Sequence, residues 1–150
     1  MANLKAGDKA PDFKGNDQNG KIISLANFKG KKIVLYFYPK DNTPGCTAEA
    51  CNLRDNYGAF RKQGYEIIGV SADPEISHQK FIEKFQLPFS LIADTNKTII
   101  KAYGVWGRKK FMGREFDGIL RTTFIIDEKG DIERIISKVD TKTHSSQILE

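Results

Sequence analysis

Tyr38-Pro39-Lys40-Asp41-Asn42-Thr43-Pro44-Gly45-Cys46-Thr47-Ala48-Glu49-Ala50-Cys51 joins an apolar run to an amphipathic one and contains both cysteines of the chain. Just before it, Ile33-Val34-Leu35-Tyr36-Phe37-Tyr38 is continuously apolar and aromatic, with no polar alternation. Such a run suits a central strand covered on both faces, as in a parallel sheet. Pro39 ends it, because proline lacks the ladder donor that a continuing central strand needs. Thr43 can then cap a helix, and Pro44 suits the first helical position, where its missing N–H costs nothing. At about 100° per residue, Cys46, Ala50, Leu53, Tyr57 and Phe60 share the face that packs on the sheet. Cys51 sits roughly 140° around the same helix, beside Asp55 and Gly58, so the two thiols point apart.

Gln63-Gly64 closes that helix, and Tyr65-Glu66-Ile67-Ile68-Gly69-Val70-Ser71 supplies a second buried strand, completing a strand, helix, strand unit. Asp73-Pro74 repeats the cap-then-proline signal, and the helix it opens carries His78, Phe81, Ile82 and Phe85 along one stripe before Leu87-Pro88. Phe89-Ser90-Leu91-Ile92 reads as a short strand, and Asp94 as the cap of a third helix reaching Tyr103, with Ile99 and Ile100 inward. Residues 104–120 read as a glycine-punctuated loop carrying Trp106, Phe111 and Phe116. Arg121 to Ile126, the turn Asp127-Glu128-Lys129-Gly130, and Asp131 to Ser137 predict an antiparallel hairpin. Asn19-Gly20 ahead of Lys21-Ile22-Ile23-Ser24-Leu25 predicts another near the amino end. Thr143 to Glu150 reads as a helix that stops abruptly, as in a chain shortened at its C-terminus. Strands and helices alternate without repeat or linker, so the expectation is one α/β domain over residues 1–150.

A chain of 150 residues buries a real core without staples or a structural metal. The net charge of +5 is scattered, with small clusters at Lys29-Gly30-Lys31-Lys32 and Arg108-Lys109-Lys110 that read as solvated loops. Neither cluster has the aromatic company or reader motif of a nucleic-acid interface, so no nucleic-acid partner is expected. Two cysteines do not make a disulfide scaffold, which points to a reducing compartment. Met1-Ala2-Asn3-Leu4-Lys5 lacks the apolar run of a signal peptide and no stretch is long enough to cross a bilayer. The expectation is a cytoplasmic protein without a membrane partner.

First-turn N–H groups have no intrahelical partner and carry the positive end of the helix dipole. They stabilise a thiolate and can hold an incoming oxygen, which makes a first-turn cysteine a candidate nucleophile. Cys46 occupies that place, and the Thr43 hydroxyl is its neighbour. The competing reading is a small core residue, as most free cysteines are. A second thiol favours chemistry, because oxidised thiols are commonly resolved by another thiol. Five helical residues separate Cys46 from Cys51 by roughly 7.5 Å along the axis, beyond disulfide reach, so a bond between them needs local unwinding. Gly45 and Gly58 are places where the chain can yield. Metal binding competes weakly: a C-x4-C pair leaves only His78 and His144 as further imidazoles, and His78 reads as a satisfied, partly buried histidine. The C-x-x-C of thioredoxin-type reductases is absent.

Pro39, Thr43 and Cys46 fit a P-x-x-x-T-x-x-C signature, followed by Cys51, by Gly104-Val105-Trp106-Gly107 and by Arg121-Thr122-Thr123-Phe124. Over nearly its whole length the chain resembles the peroxiredoxins, and within them the bacterioferritin-comigratory or Q-type subgroup. The resemblance implies a thioredoxin-like fold, a central mixed β-sheet flanked by helices, and thiol-dependent reduction of hydroperoxides. It implies Cys46 as the peroxidatic cysteine, Cys51 as the resolving one, Thr43 and Arg121 orienting the peroxide and stabilising the thiolate, and Pro39 shielding the site. It further implies an intramolecular disulfide, thioredoxin or a similar dithiol as reductant, a monomer, and no metal, haem or flavin. A general thiol-disulfide oxidoreductase and a redox-sensing or partner-binding thioredoxin-fold module are the competing readings.

Overall fold

The computed structural model describes residues 3–149. Its centre is a five-stranded sheet in which β3 (Lys32–Phe37) lies between β4 (Tyr65–Ser71) and β8 (Thr122–Ile126). The edges are β5 (Ser90–Ala93) beside β4 and β9 (Ile132–Ile136) beside β8. β3 is parallel to β4 and β4 to β5, whereas the β3–β8 and β8–β9 pairs are antiparallel, so the sheet is mixed.

The unbroken apolar character of Ile33 to Tyr38 follows from cover on both faces. Ile33, Leu35 and Phe37 point into a cluster with Phe13, Ile99, Ile100, Tyr103 and Phe124. Val34, Tyr36 and Tyr38 point the other way, into a cluster with Cys46, Ala50, Leu53, Phe60, Phe81 and Ile148. The second face is covered by α1 (Pro44–Asp55), α2 (Tyr57–Lys62), α3 (Glu75–Phe85) and α5 (His144–Leu149). The first face takes α4 (Thr98–Ala102) and the chain near the amino end, where β1 (Lys14–Asn16) and β2 (Ile22–Ser24) form the expected hairpin. A 3-10 turn, Leu25–Phe28, follows β2.

Four local expectations are corrected. Residues 104–120 are not a loop: β6 (Trp106–Phe111) and β7 (Arg114–Ile119) pair antiparallel, joined by Met112 and Gly113 at φ 52° and 80°, the two positive angles of a tight hairpin turn. The first helix does not run unbroken to Gln63-Gly64. It divides at Asn56, whose side-chain amide donates to Asn52 O at 2.8 Å and competes with the helix ladder. Thr43 holds the N-cap position of α1, but its hydroxyl donates to Lys40 O at 2.9 Å and caps nothing. Asp73 likewise leaves α3 uncapped, because its Oδ2 accepts from Ser71 Oγ at 2.6 Å and from the Asp41 backbone N–H at 2.8 Å. Asp94 does serve α4, its carboxylate accepting the N–H groups of Ile99 and Ile100 at 3.2 and 2.8 Å. The helix expected over 143–150 is α5, with Glu150 outside the described residues.

Candidate active site

Cys46 lies in the first turn of α1, 2% exposed, on the face that packs against Tyr36 and Tyr38. The helix ladder opens with Thr47 N–H donating to Thr43 O at 2.8 Å, so the N–H groups of Gly45 and Cys46 come before any intrahelical acceptor. Arg121, the residue before β8, reaches over from the sheet, and its Nη2 donates to Cys46 Sγ at 3.3 Å. That contact sets a fixed positive charge and a donor against the sulfur. Gly45 permits the approach: a Cβ there would stand 3.2 Å from Arg121 Nη2.

The other end of the guanidinium is fixed as well. Arg121 Nη1 donates to Glu49 Oε1 at 2.7 Å, and Glu49 is wholly buried. Burial pushes Glu49 up to about 7, with Arg121 acting against the rise. For Arg121, burial works against the charge, but Cys46 and Glu49 more than offset it and its pKa is raised. Glu49 is a functional neighbour that the motif does not name. The signal was there, since it is three residues after Cys46 and faces the sheet, where a lone carboxylate must have a partner.

His144, on α5, brings its Nε2 to 3.6 Å from Glu49 Oε2 and is itself fully buried. Lys109 departs from its reading as a solvated loop residue. It lies on β6 and donates from Nζ to Ile119 O at 2.9 Å. Burial lowers its pKa, the Arg121 charge adds to that, and Cys46 opposes it.

The segment from β3 to α1 is held by a second network. Tyr38 OH donates to Asp41 Oδ1 at 2.6 Å, while Ser77 Oγ donates to Asp41 Oδ2 at 2.8 Å, with His78 Nδ1 2.7 Å from the same oxygen. His78 Nε2 donates to Ile92 O at 2.9 Å, so this histidine is satisfied, and buried more completely than its stripe position implied. Donor atoms of Asp41, Asp73 and His78 lie within 4.8 Å of one another. They are taken up by these hydrogen bonds, and their effect is to fix the stretch between β3 and α1.

The structure thus brings Cys46 and Arg121 together, with Thr43 at the helix start and Pro39, half-buried, after the strand. Cys51 is on α1 but apart from them. It is half-buried, and both cysteines are free thiols.

The profile of the AhpC/TSA family matches residues 6–135. Peroxiredoxin Bcp of Escherichia coli (strain K12) is 43% identical over 149 residues, 99% of this chain and 96% of that protein. Peroxiredoxin Bcp of Bacillus subtilis (strain 168) is 45% identical over 147 residues, 98% and 94% of the two chains. Among solved structures, a variant of Xanthomonas campestris peroxiredoxin Q superposes with a TM-score of 0.89 at 32% identity, covering 97% of this chain and 96% of that one. The Xanthomonas campestris bacterioferritin comigratory protein, described with alkyl peroxide reduction activity, superposes with a TM-score of 0.88 at 32% identity, covering 96% and 94%.

Proposed function

The chain belongs to the AhpC/TSA family and is a peroxiredoxin of thioredoxin-like α/β fold, and on that premise we propose that Cys46 is its peroxidatic cysteine, acting on hydrogen peroxide and organic hydroperoxides. The observation that carries this reading is the 3.3 Å hydrogen bond from Arg121 Nη2 to the sulfur of a cysteine in the first turn of α1.

The Cys46 thiolate attacks one oxygen of the hydroperoxide, forming an S–O bond as the O–O bond breaks. Negative charge moves to the leaving oxygen, where Arg121 and the first-turn N–H groups stabilise it before it takes up a proton as water or alcohol. Thr43 gives its own hydroxyl hydrogen to Lys40 O, leaving Oγ1 lone pairs to accept the peroxide O–H. Pro39 shields the site from bulk water.

Cys46 becomes a sulfenic acid. Cys51 then attacks that sulfur, the hydroxyl leaves as water, and an intramolecular disulfide forms, as in an atypical 2-Cys enzyme. Both thiols belong to α1, so the helix must unwind before they meet. Thioredoxin or a similar dithiol protein returns two electrons and two protons. The cycle calls for no metal, haem or flavin, and a monomer of one domain over residues 1–150, acting in the cytoplasm, is sufficient for it. Among the described residues no helix is long and apolar enough to cross a membrane.

Stopped-flow mixing with hydrogen peroxide tests the reading. Rapid stoichiometric loss of one thiol is expected, abolished in Cys46→Ser. A thiol reacting no faster than free cysteine would sink the peroxidase.

A further inference from the structure

Glu49 has one oxygen paired and one not. Oε1 accepts from Arg121 Nη1 at 2.7 Å, whereas buried Oε2 has no hydrogen-bond partner among the described residues. An unpaired charged oxygen in a dry site is among the costliest arrangements in a fold. Facing it at 3.6 Å is His144 Nε2.

The surroundings of His144 decide which nitrogen carries its ordinary proton. Gln147 Oε1 accepts the Asp140 backbone N–H at 3.0 Å and Gln147 Nε2 donates to Lys138 O at 3.0 Å, which orients the amide. Its oxygen therefore faces His144 Nδ1, 2.7 Å away, and Nδ1 is the donor. In the neutral ring Nε2 is then a lone pair, 2.7 Å from the Thr123 hydroxyl and turned toward the orphaned carboxylate oxygen. One further proton repairs this arrangement. On Oε2 it neutralises the carboxylate, and on Nε2 it creates a donor. Burial favours the neutral form of each group, holding Glu49 up at about 7 and His144 below its usual range.

Arg121 links the pair to the sulfur, because the same guanidinium holds Glu49 by Nη1 and Cys46 by Nη2. The charged and titratable groups that act on this cluster are Cys46 and Glu49 from α1, Tyr36 from β3, Lys109 from β6, Arg121 before β8 and Asp140 before α5. Arg121 balances one anion better than two, so a negative charge on Cys46 and a proton on the pair favour one another.

We propose that His144 is a positioning residue for the peroxidase: with Glu49 it holds one shared proton, and the charge on that pair sets how strongly Arg121 holds the Cys46 thiolate. The proposal rests on Cys46 as the reacting thiol. It makes α5 part of the active site, and it follows that conversion of the Cys46 thiolate to a neutral sulfenic acid releases the shared proton, balancing the one that the leaving hydroxide or alkoxide takes up as water or alcohol.

Two measurements on the reduced full chain test it. Infrared difference spectroscopy with 13C-labelled glutamate reports protonated Glu49 as a carboxyl band absent from Glu49→Gln. That band is expected to titrate in the wild type and to do so lower by about half a pH unit or more in His144→Asn, which keeps a donor for Gln147 but has no Nε2. The second is the rate of Cys46 oxidation by hydrogen peroxide against pH, read by fluorescence of Trp106, the one tryptophan. Its falling alkaline limb is expected to move with the band in His144→Asn and to vanish in Glu49→Gln.

A purely structural His144 lowers the rate by one factor at every pH and leaves the band in place, which overturns the proposal. If His144→Asn does not fold, Cys46→Ser decides: the band must titrate at lower pH than in the wild type, and an unmoved band overturns it. Wild-type protein whose Cys46 is untouched by peroxide overturns the preceding functional reading, and is told apart because the band still reports on His144.

Discussion

Arg121 Nη2 donates to the Cys46 sulfur at 3.3 Å across 75 positions of chain, a contact that exists only because β8 and α1 meet over the same end of β3. The guanidinium is a fork with one prong on Cys46 and the other on Glu49. Lysine cannot hold both, since its ammonium is a point charge on a flexible stem. Arg121→Gln is expected to slow Cys46 oxidation by about 10²- to 10³-fold, the scale of losing one preorganised donor to a developing oxyanion. Arg121→Lys should recover only part of that loss. Single-turnover peroxide oxidation measures both, and full activity in Arg121→Lys argues against the two-pronged role.

Gly45→Ala separates activity from stability. The added Cβ would stand 3.2 Å from Arg121 Nη2, so the guanidinium must give by a few tenths of an ångström and its seat on the sulfur is disturbed. The helix itself gains from the exchange, by up to about 1 kcal/mol. Peroxide oxidation of Cys46 should therefore fall about tenfold, or about 1.4 kcal/mol of barrier, while the denaturation midpoint holds or rises. A variant less stable and equally active contradicts this placement of Arg121.

The central strand was legible because Lys32–Phe37 buries residues of both parities, which leaves an unbroken apolar run. The β6–β7 hairpin was not legible for the opposite reason. Phe111 and Phe116 are 66% and 42% exposed, so neither strand carries a buried period, and its turn uses Met112 where Asn or Asp would have announced it. The place of Cys46 in the first turn of a helix was legible from proline and spacing, but its contact with Arg121 was not, because a contact across 75 positions leaves no local trace. His144 reads as a spare imidazole for the same reason. Its partners Glu49 and Thr123 lie on α1 and β8, and only the folded sheet brings α5 to them.

Glu49 predicts an unusual dependence of stability on pH. Burial raises it from 4.5 to about 7 against the pull of Arg121. Between those values the folded chain keeps a proton that the unfolded chain has released, so stability falls as pH rises through the window, by about 3 kcal/mol in full. His144 acts oppositely: burial holds it below 6.5, and stability rises with pH up to that value as the unfolded chain loses its proton. In Glu49→Gln only the rise remains. Urea denaturation should show the variant gaining on the wild type from about pH 5 to about pH 7, with the gain levelling off above that. Parallel curves would mean that Glu49 is ionised over the whole range.

In the proposed cycle α1 must both activate Cys46 and release it. Asn52, next to Cys51, ties α1 to the start of α5: its side-chain amide donates to Lys142 O at 3.0 Å, and its Oδ1 accepts the Ser145 N–H at 2.7 Å. Ser145 Oγ adds a bond to Asn52 O at 3.1 Å, beside that of Asn56. This clasp sits beside Cys51, the resolving thiol of the proposed cycle, and opposes unwinding there; because it also seats the start of α5, it reaches the first chemical step only through His144. Asn52→Ala should cost about 1–2 kcal/mol of stability. Relative to sulfenic acid formation, which a loosened His144 slows if it changes at all, the appearance of the Cys46–Cys51 disulfide should speed up, because the cost of opening α1 is lowered. Mass spectrometry of quenched samples after one equivalent of peroxide separates the two steps. Disulfide formation that slows in Asn52→Ala would mean that the clasp guides Cys51 toward Cys46 instead of holding it back.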